Sequence, residues 1–385
     1  MKQVSLILMF LGALLTTPTI AASYTLSLDA ATSLYLTDDC ILDGSSPDRT
    51  LLARLRPSLM LAPTSNIFLS IAYELNGLSS DSQFSMQGTG KTPRLRIEDL
   101  EREIYGDDGH SLAQNLDRAF ITWYGDGLEA SFGRQPIGHG SGRIFNPSDI
   151  FAPLTPQSTY SEYKGGIDAL RVRKYVGSDG AFEFISAAHR DGAEDAYYLL
   201  RWEQSLQSVN LSAYGGRTLG APTFAFDVAA DLGGTGIYGE GVARVDVPIE
   251  DSLRAVIGGH RRFVNGINAL LELHYNGVGE TEPAEYPLAT LTREWRNGES
   301  FLLGKWYVAV EGDYQPHPLV TLSMATIANI EDGSALLQPY FSWAAFESGK
   351  TTVTLIGGGS FSVKGKDGEF DNSPDTIYIE VQLNF

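Results

Sequence analysis

Arginines recur at every second position of otherwise apolar stretches, and they are the residues best placed to do chemistry. Arg171 and Arg173 share a face with Ala169 and Tyr175, opposite Leu170, Val172 and Val176; Arg54 and Arg56 oppose Leu55 and Leu59; Arg254 and Arg262 oppose Leu253, Ala255 and Ile257. Successive side chains of a strand point to opposite faces, so each pair looks away from the apolar side. A guanidinium keeps its charge, so these faces meet water or carboxylates. The chemistry on offer is electrostatic selection of a solute, strongest where low-dielectric walls concentrate the field. His139 and Arg143 can join such a constriction from the intervening segment, with Asp149 as a local counter-charge. Polar faces also carry Asp29, Glu74, Glu129, Asp227, Glu240, Asp246, Glu272 and Glu380. The competing expectation is therefore that the arginines pair with carboxylates and hold structure together.

Other chemistries find little support. Six histidines and many serines are present, yet none has a Ser or Asp neighbour at a spacing that suggests nucleophilic catalysis, and no C-x-x-C-H haem motif occurs. No catalysis and no cofactor is expected. Gly234-Thr-Gly236-Ile-Tyr-Gly239 fits G-x-G-x-x-G, but Val242 to Val247 continues as a strand where a dinucleotide site needs a helix, so these glycines are read as allowing strand curvature. The acidic clusters Asp107-Asp108, His189 to Asp195 and Asp367 to Asp375 lack the spacing of a dedicated calcium loop, and no metal site is assigned. They read as solvated loops, or loops bridged by divalent ions to surface lipid. A formal net charge of -19 argues against nucleic acid as a partner. The single cysteine, Cys40, cannot form an intrachain disulfide.

The elements that position these residues are amphipathic strands. Met1 to Ala22 has the three parts of a secretory signal: Lys2 at the charged end, an apolar run from Val4 to Leu15, and a small-residue segment with Pro18. The domain reading is thus a cleaved signal at 1–22 and one barrel at 23–385. Tyr24, Leu26, Leu28 and Ala30 alternate with Thr25, Ser27 and Asp29, and the same period recurs over 67–76, 223–230 and 267–276. Strands that need apolar residues only at alternate positions keep the mean hydropathy at -0.09 while still building a lipid-facing belt. At roughly 10 residues per strand and a similar mean per connection, the exported chain holds about 18 strands, with 16 as the alternative. Short breakers such as Gly125-Asp126-Gly127 and Asn265-Gly266 alternate with long loops such as 77–115, 136–166 and 277–300, as a spanning barrel requires. An open sheet edge in hydrocarbon would leave backbone groups unpaired, so the sheet must close. Pro57 and Pro339 fall inside strands, where a bulge or strand end is expected. Aromatic belts are expected from Trp123-Tyr124, Tyr198, Trp202, Trp306-Tyr307 and Trp343. Arg134 extends the Leu128, Ala130 and Phe132 face, which puts it at the outer rim near lipid phosphates; Lys174, outward too, snorkels to an interface.

The last ten residues read T-I-Y-I-E-V-Q-L-N-F, with Ile377, Ile379, Val381, Leu383 and Phe385 on one face. This strand resembles the final strand of Gram-negative outer-membrane β-barrels, and the resemblance implies that Phe385 is the assembly signal. The stretch F-G-R-Q-P-I-G-H-G-S-G-R-I-F-N-P-S-D-I-F from Phe132 to Phe151 carries Ile144, Phe145, Ile150 and Phe151, which with Leu154 need somewhere to bury; the only interior available is the lumen. It resembles the constricting third-loop region of porin-type channels. Together these imply an all-β, single transmembrane antiparallel barrel in the cell outer membrane, narrowed by one long loop folded into the lumen. The implied function is passive diffusion of small hydrophilic solutes, with an anionic preference if the arginines line the narrowest point. The expected partners are outer-membrane lipids, the barrel-assembly machinery, the solutes, and further copies of the chain. Two rivals are a barrel serving as an export component or sheath for a periplasmic partner, and an outer-membrane barrel enzyme.

Overall fold

The structure is a computed structural model that describes residues 23–38, 47–81, 94–98, 100–153, 163–245 and 252–385. The signal segment, Cys40, Leu154 and Asp246 lie outside these residues. The strands are β1 (Ser23–Asp38), β2 (Asp48–Thr64), β3 (Ile67–Ser80), β4 (Arg102–Asp107), β5 (His110–Gly125), β6 (Leu128–Gln135), β7 (Ile167–Val176), β8 (Gly180–Ala187), β9 (Tyr197–Leu206) and β10 (Val209–Thr218). They continue with β11 (Ala221–Asp231), β12 (Thr235–Arg244), β13 (Arg254–Arg262), β14 (Ile267–Asn276), β15 (Trp306–His317), β16 (Val320–Asn329), β17 (Ala335–Ser348), β18 (Thr351–Val363) and β19 (Asp375–Asn384). All pairings between them are antiparallel and sequential except two. First, β1 pairs with β19 from Asp29↔Asn384 to Asp38↔Asp375, which closes the sheet on itself. Second, β3 pairs directly with β5, and β4 lines only the upper half of β5, from Arg102↔Gln114 to Asp107↔His110, beyond the point where β6 has ended. The wall is therefore a closed barrel of 18 strands.

Alternation governs which side chains meet lipid. Leu200, Phe224, Ile257 and Leu271 are each more than half exposed, whereas their chain neighbours Leu199, Ala225, Val256 and Leu270 are at most 7% exposed. No described helix is long and apolar enough to cross a membrane, so strands carry the lipid-facing surface. Trp123, Tyr198, Trp202, Trp306 and Trp343 face outward, whereas Tyr307 is fully buried inside and Tyr124 lies on the face of Glu129 and Arg171. Two successive strand residues cannot share a face, so the expected belt pairs Trp123-Tyr124 and Trp306-Tyr307 are corrected to Trp123 and Trp306 alone.

The prolines behave differently from expectation as well. The β2–β3 ladder steps from Leu55↔Leu75 to Ser58↔Ala72 in one register, skipping Arg56 and Pro57, while Pro57 stays opposite Leu28 on β1. Likewise the β17–β18 ladder steps from Leu337↔Phe361 to Tyr340↔Gly358 while Pro339 stays opposite Met324. Neither proline causes a bulge or a strand end, because each residue's N–H points toward only one neighbour and the other ladder is left intact.

Gly133 lets β6 press closely on β5 without a change of register. Its φ of 117° lies where glycine is at ease, and a Cβ there would sit 2.3 Å from the Ala119 carbonyl oxygen. After it both Arg134 and Gln135 are buried, at 4% and 3% exposure, while Phe132 is 66% exposed. Arg134 donates from Nε to Asp168 at 2.8 Å. The expectation of an Arg134 near lipid phosphates is corrected: the guanidinium is enclosed by Asp168 and by the carbonyls of Leu116 and Glu98, at 3.0 and 2.7 Å.

Candidate functional site

Residues 136–153, which follow β6, lie in the barrel interior. Ile137, Ile150 and Phe151 are buried against Ile185, Tyr197, Leu199, Tyr214 and Val242, inward residues of β8 to β12. Phe145 packs with Val256, Tyr307, Ile327 and Leu336 of β13 to β17, and its ring stacks on His274 at a centroid distance of 4.7 Å. Each such apolar side chain contributes roughly 1.5–3 kcal/mol by leaving water. The wall behind the loop is accordingly apolar on its inner face too.

Two wall glutamates hold the loop by its main chain. Glu240 accepts the N–H of Ser141 at 2.5 Å, Gly142 at 3.0 Å and Ser148 at 3.1 Å. Glu272, on β14, accepts those of Arg143 at 2.7 Å, Ile144 at 3.2 Å and Phe145 at 2.8 Å, and the Tyr238 hydroxyl donates to it at 2.5 Å. Both carboxylates are at most 1% exposed. A carboxylate so deeply buried is tolerable only with its lone pairs filled, and the loop's N–H groups fill them with charge-assisted bonds. The loop must approach very closely to do this. A Cβ on Gly140, whose φ is 96°, would lie 2.1 Å from Asn146 Oδ1 and 2.5 Å from Glu240 Oε2, and one on Gly142 would lie 1.8 Å from the Phe145 carbonyl oxygen. The alternating glycines of the loop are thereby explained.

The arginines of the wall are mostly matched to carboxylates. Arg56 reaches Asp117 at 2.8 Å, Glu74 at 3.3 Å and Asp29 at 3.8 Å, with the Tyr163 ring 4.1 Å from its guanidinium carbon. Arg171 meets Glu183 at 2.5 Å and Glu129 at 3.6 Å, while Arg173 and Arg201 both bind Glu203. These three keep 13–25% of their side-chain surface exposed, so they edge a watery passage while paired. Arg54 points to the same interior as Arg56 and lies in the field of Glu74. His139 Nε2 is 3.0 Å from Glu183, beneath Phe151 and Tyr214, and Lys164 pairs with Asp149. Arg254 is 2% exposed and donates to Glu299 at 2.9 Å; Arg244 joins it at 2.8 Å and takes Glu294 at 2.6 Å. Both glutamates belong to the 277–305 connection, which carries two one-turn helices, Tyr286–Ala289 and Arg293–Arg296. Burial alone would raise Glu294, but Arg244 beside it holds its carboxyl below the usual range. In the neighbouring 364–374 loop, burial pushes Glu369 up to about 7, even though Leu303 N–H and Asn329 Nδ2 donate to it at 2.9 and 3.0 Å.

Arg143 and Arg262 stand apart. With Asp231, His260, Asn268, Glu311 and Asp313 they line a cavity of about 350 Å³ beside the loop, toward the rim of short turns. Arg143 Nη2 lies 2.9 Å from His260 Nε2. The other candidate cluster, His189, Asp191 and Asp195, has ligand atoms within 4.8 Å of one another. His189 has no lone pair to spare for a metal: Nδ1 accepts the Asp191 N–H at 3.2 Å, so Nε2 carries the proton toward Asn297 Oδ1 at 2.9 Å, and Asp191 is bound by Arg94 at 2.6 Å.

No protein-family model and no curated protein sequence matches the chain. Solved structures do match it along nearly its whole length. OccD3 (OpdP) of Pseudomonas aeruginosa superposes with a TM-score of 0.56 at 10% identity, covering 96% of this chain and 92% of that one. A BenF-like porin from Pseudomonas fluorescens Pf-5 gives 0.54 at 8% identity, covering 94% and 98%, and OccAB1 of Acinetobacter baumannii gives 0.53 at 8%, covering 94% and 96%. The fold is that of the outer-membrane porins.

Within this porin-type barrel the arginine set predicted from alternation divides by position. Arg56 and Arg254 are buried in clasps between elements, Arg54, Arg171 and Arg173 edge the lumen, and Arg143 and Arg262 meet at one cavity. Glu240 and Glu272 had been expected as partners for arginines; they bind loop N–H groups instead. Arg96, 1% exposed and donating to the Gly166 carbonyl at 2.8 Å, and Glu299 are anchoring residues that sequence reasoning missed. The one available signal was the run of glycines in the loop, whose N–H groups would need acceptors once buried.

Proposed function

We propose that the chain is an outer-membrane channel through which small hydrophilic solutes diffuse passively, narrowed by the loop at 136–166. The observation that carries this reading is the grip of Glu240 and Glu272 on that loop: it fixes a polar main chain inside the lumen against β8 to β17 and leaves the charged β1 to β5 wall facing it. The constriction is formed by Arg54, Arg143, Arg171, Arg173 and Arg262, with His139 and Asp149 behind them. Because Arg171, Arg173 and Arg201 are matched by Glu129, Glu183 and Glu203, selection by the sign of charge is weak, which counts against the anionic preference that the arginines alone suggest. The barrel performs no catalysis; its partners are the surrounding lipids, the assembly machinery that reads the Phe385 strand, and further copies of the chain. Planar-bilayer recording of the purified protein tests the reading. Discrete conductance steps with a reversal potential near zero in a salt gradient are expected. A membrane that stays silent removes the channel, and a strongly anion-shifted reversal potential restores the arginine constriction.

A further inference from the structure

The cavity beside the loop differs from the rest of the interior in how its charges are arranged. Elsewhere in the interior Arg56, Arg171, Arg173, Arg201 and Arg254 each sit within 4.0 Å of a carboxylate. Here, among the described residues, neither Arg143 nor Arg262 has a carboxylate that close, and neither Asp231, Glu311 nor Asp313 has a cation that close, although all five line one space of about 350 Å³. Their positions in the sheet alternate in sign. Asp231 ends β11, Arg262 ends β13, and Glu311 and Asp313 lie on β15, so an intervening strand separates each sign from the next. Neighbouring strands are roughly 4.8 Å apart; Arg173 and Glu203 bridge a two-strand gap elsewhere, but here the gap between the two signs is left open as the cavity. Arg143 enters from the loop above, its position set by the Glu272 bond to its own N–H.

We infer that this cavity is a transient binding subsite for zwitterionic solutes, small molecules bearing one carboxylate and one ammonium group. The inference rests on the channel reading and names the solute class that the channel favours. The void holds about a dozen waters at roughly 30 Å³ each, room for a solute of amino-acid size with part of its hydration. A carboxylate can take the guanidinium of Arg262 or Arg143 while an ammonium takes Glu311 and Asp313. A solute with a single charge is attracted by one side and repelled by the other, and an uncharged solute gains neither contact.

Liposome swelling with the full-length protein separates the possibilities, using L-glutamine as the zwitterion and D-ribose as an uncharged solute of similar size. We expect glutamine to enter at least about threefold faster than ribose at low concentration, and its rate to saturate. A Glu311→Gln/Asp313→Asn double variant and, separately, Arg262→Gln should bring the glutamine-to-ribose ratio within each variant to about one. Heat-modified gel mobility confirms that each variant barrel is folded. A ratio near one in the unmodified protein while ribose enters freely, or a ratio that neither variant lowers, overturns the subsite and leaves the channel standing. If neither solute enters, the channel reading fails and the subsite with it.

Discussion

At Glu240 and Glu272 a side chain from the wall does for the loop what a capping residue does for a helix: it accepts main-chain N–H groups that have no other partner. Removing one carboxylate strands several buried donors at once. Glu272→Ala should lower the unfolding stability of the detergent-solubilised barrel by about 3–5 kcal/mol, and in bilayers it should raise both open-channel noise and mean conductance as the loop loosens. Unchanged noise would mean that apolar packing alone holds the loop. A second residue-scale expectation concerns pH. Burial pushes Glu369 up to about 7 from an ordinary 4.5, so the folded state holds that proton more tightly than the unfolded chain does. Its contribution to stability is therefore largest at acid pH and is lost as pH rises from 4.5 through 7. The urea midpoint of Glu369→Gln should gain on that of the unmodified protein over this window; parallel curves would show that Glu369 does not titrate there.

Among the elements, β6 shows best where sequence reading stops. Strict alternation located the inward arginines of β2, β7 and β13, because period 2 is a property of every regular strand. It misplaced Arg134 because burial depends on what covers a face: Asp168 and the Glu98 and Leu116 carbonyls enclose the guanidinium, and these long-range partners are not written in the local pattern. Gly133→Ala should cost about 1–3 kcal/mol through strain and the clash with the Ala119 carbonyl, read as a lower unfolding midpoint, and should weaken the Arg134–Asp168 bond. The loop's destination was legible from its buried-type residues, Ile144, Phe145, Ile150 and Phe151. Its anchors were not, since a carboxylate that binds backbone N–H groups has no complementary side chain to betray it. For the same reason Glu299 and Arg254, 45 residues apart, could not be paired by inspection.

On the scale of the whole molecule, closure follows from hydrogen-bond accounting. With β1 laid along β19, and Leu28 and Phe385 exchanging both main-chain bonds at 2.9 and 3.0 Å, the sheet closes on itself, and among the described strands β4 alone keeps a partner on one side only. The barrel's outer surface should then obey depth-dependent rules. Leu271→Arg, at a position 56% exposed on the lipid side, should destabilise the membrane-inserted barrel by about 2–4 kcal/mol, measured by refolding into bilayers; an Arg tolerated there would contradict the assigned lipid face.

The clamp formed by Glu240 and Glu272 engages the loop through its peptide groups. The side chain of Arg143 is thus released from anchoring duty, and residue 143 can be exchanged without redesigning the support beneath it. A scaffold built this way lets natural drift or deliberate engineering rewrite what the passage admits, one loop codon at a time.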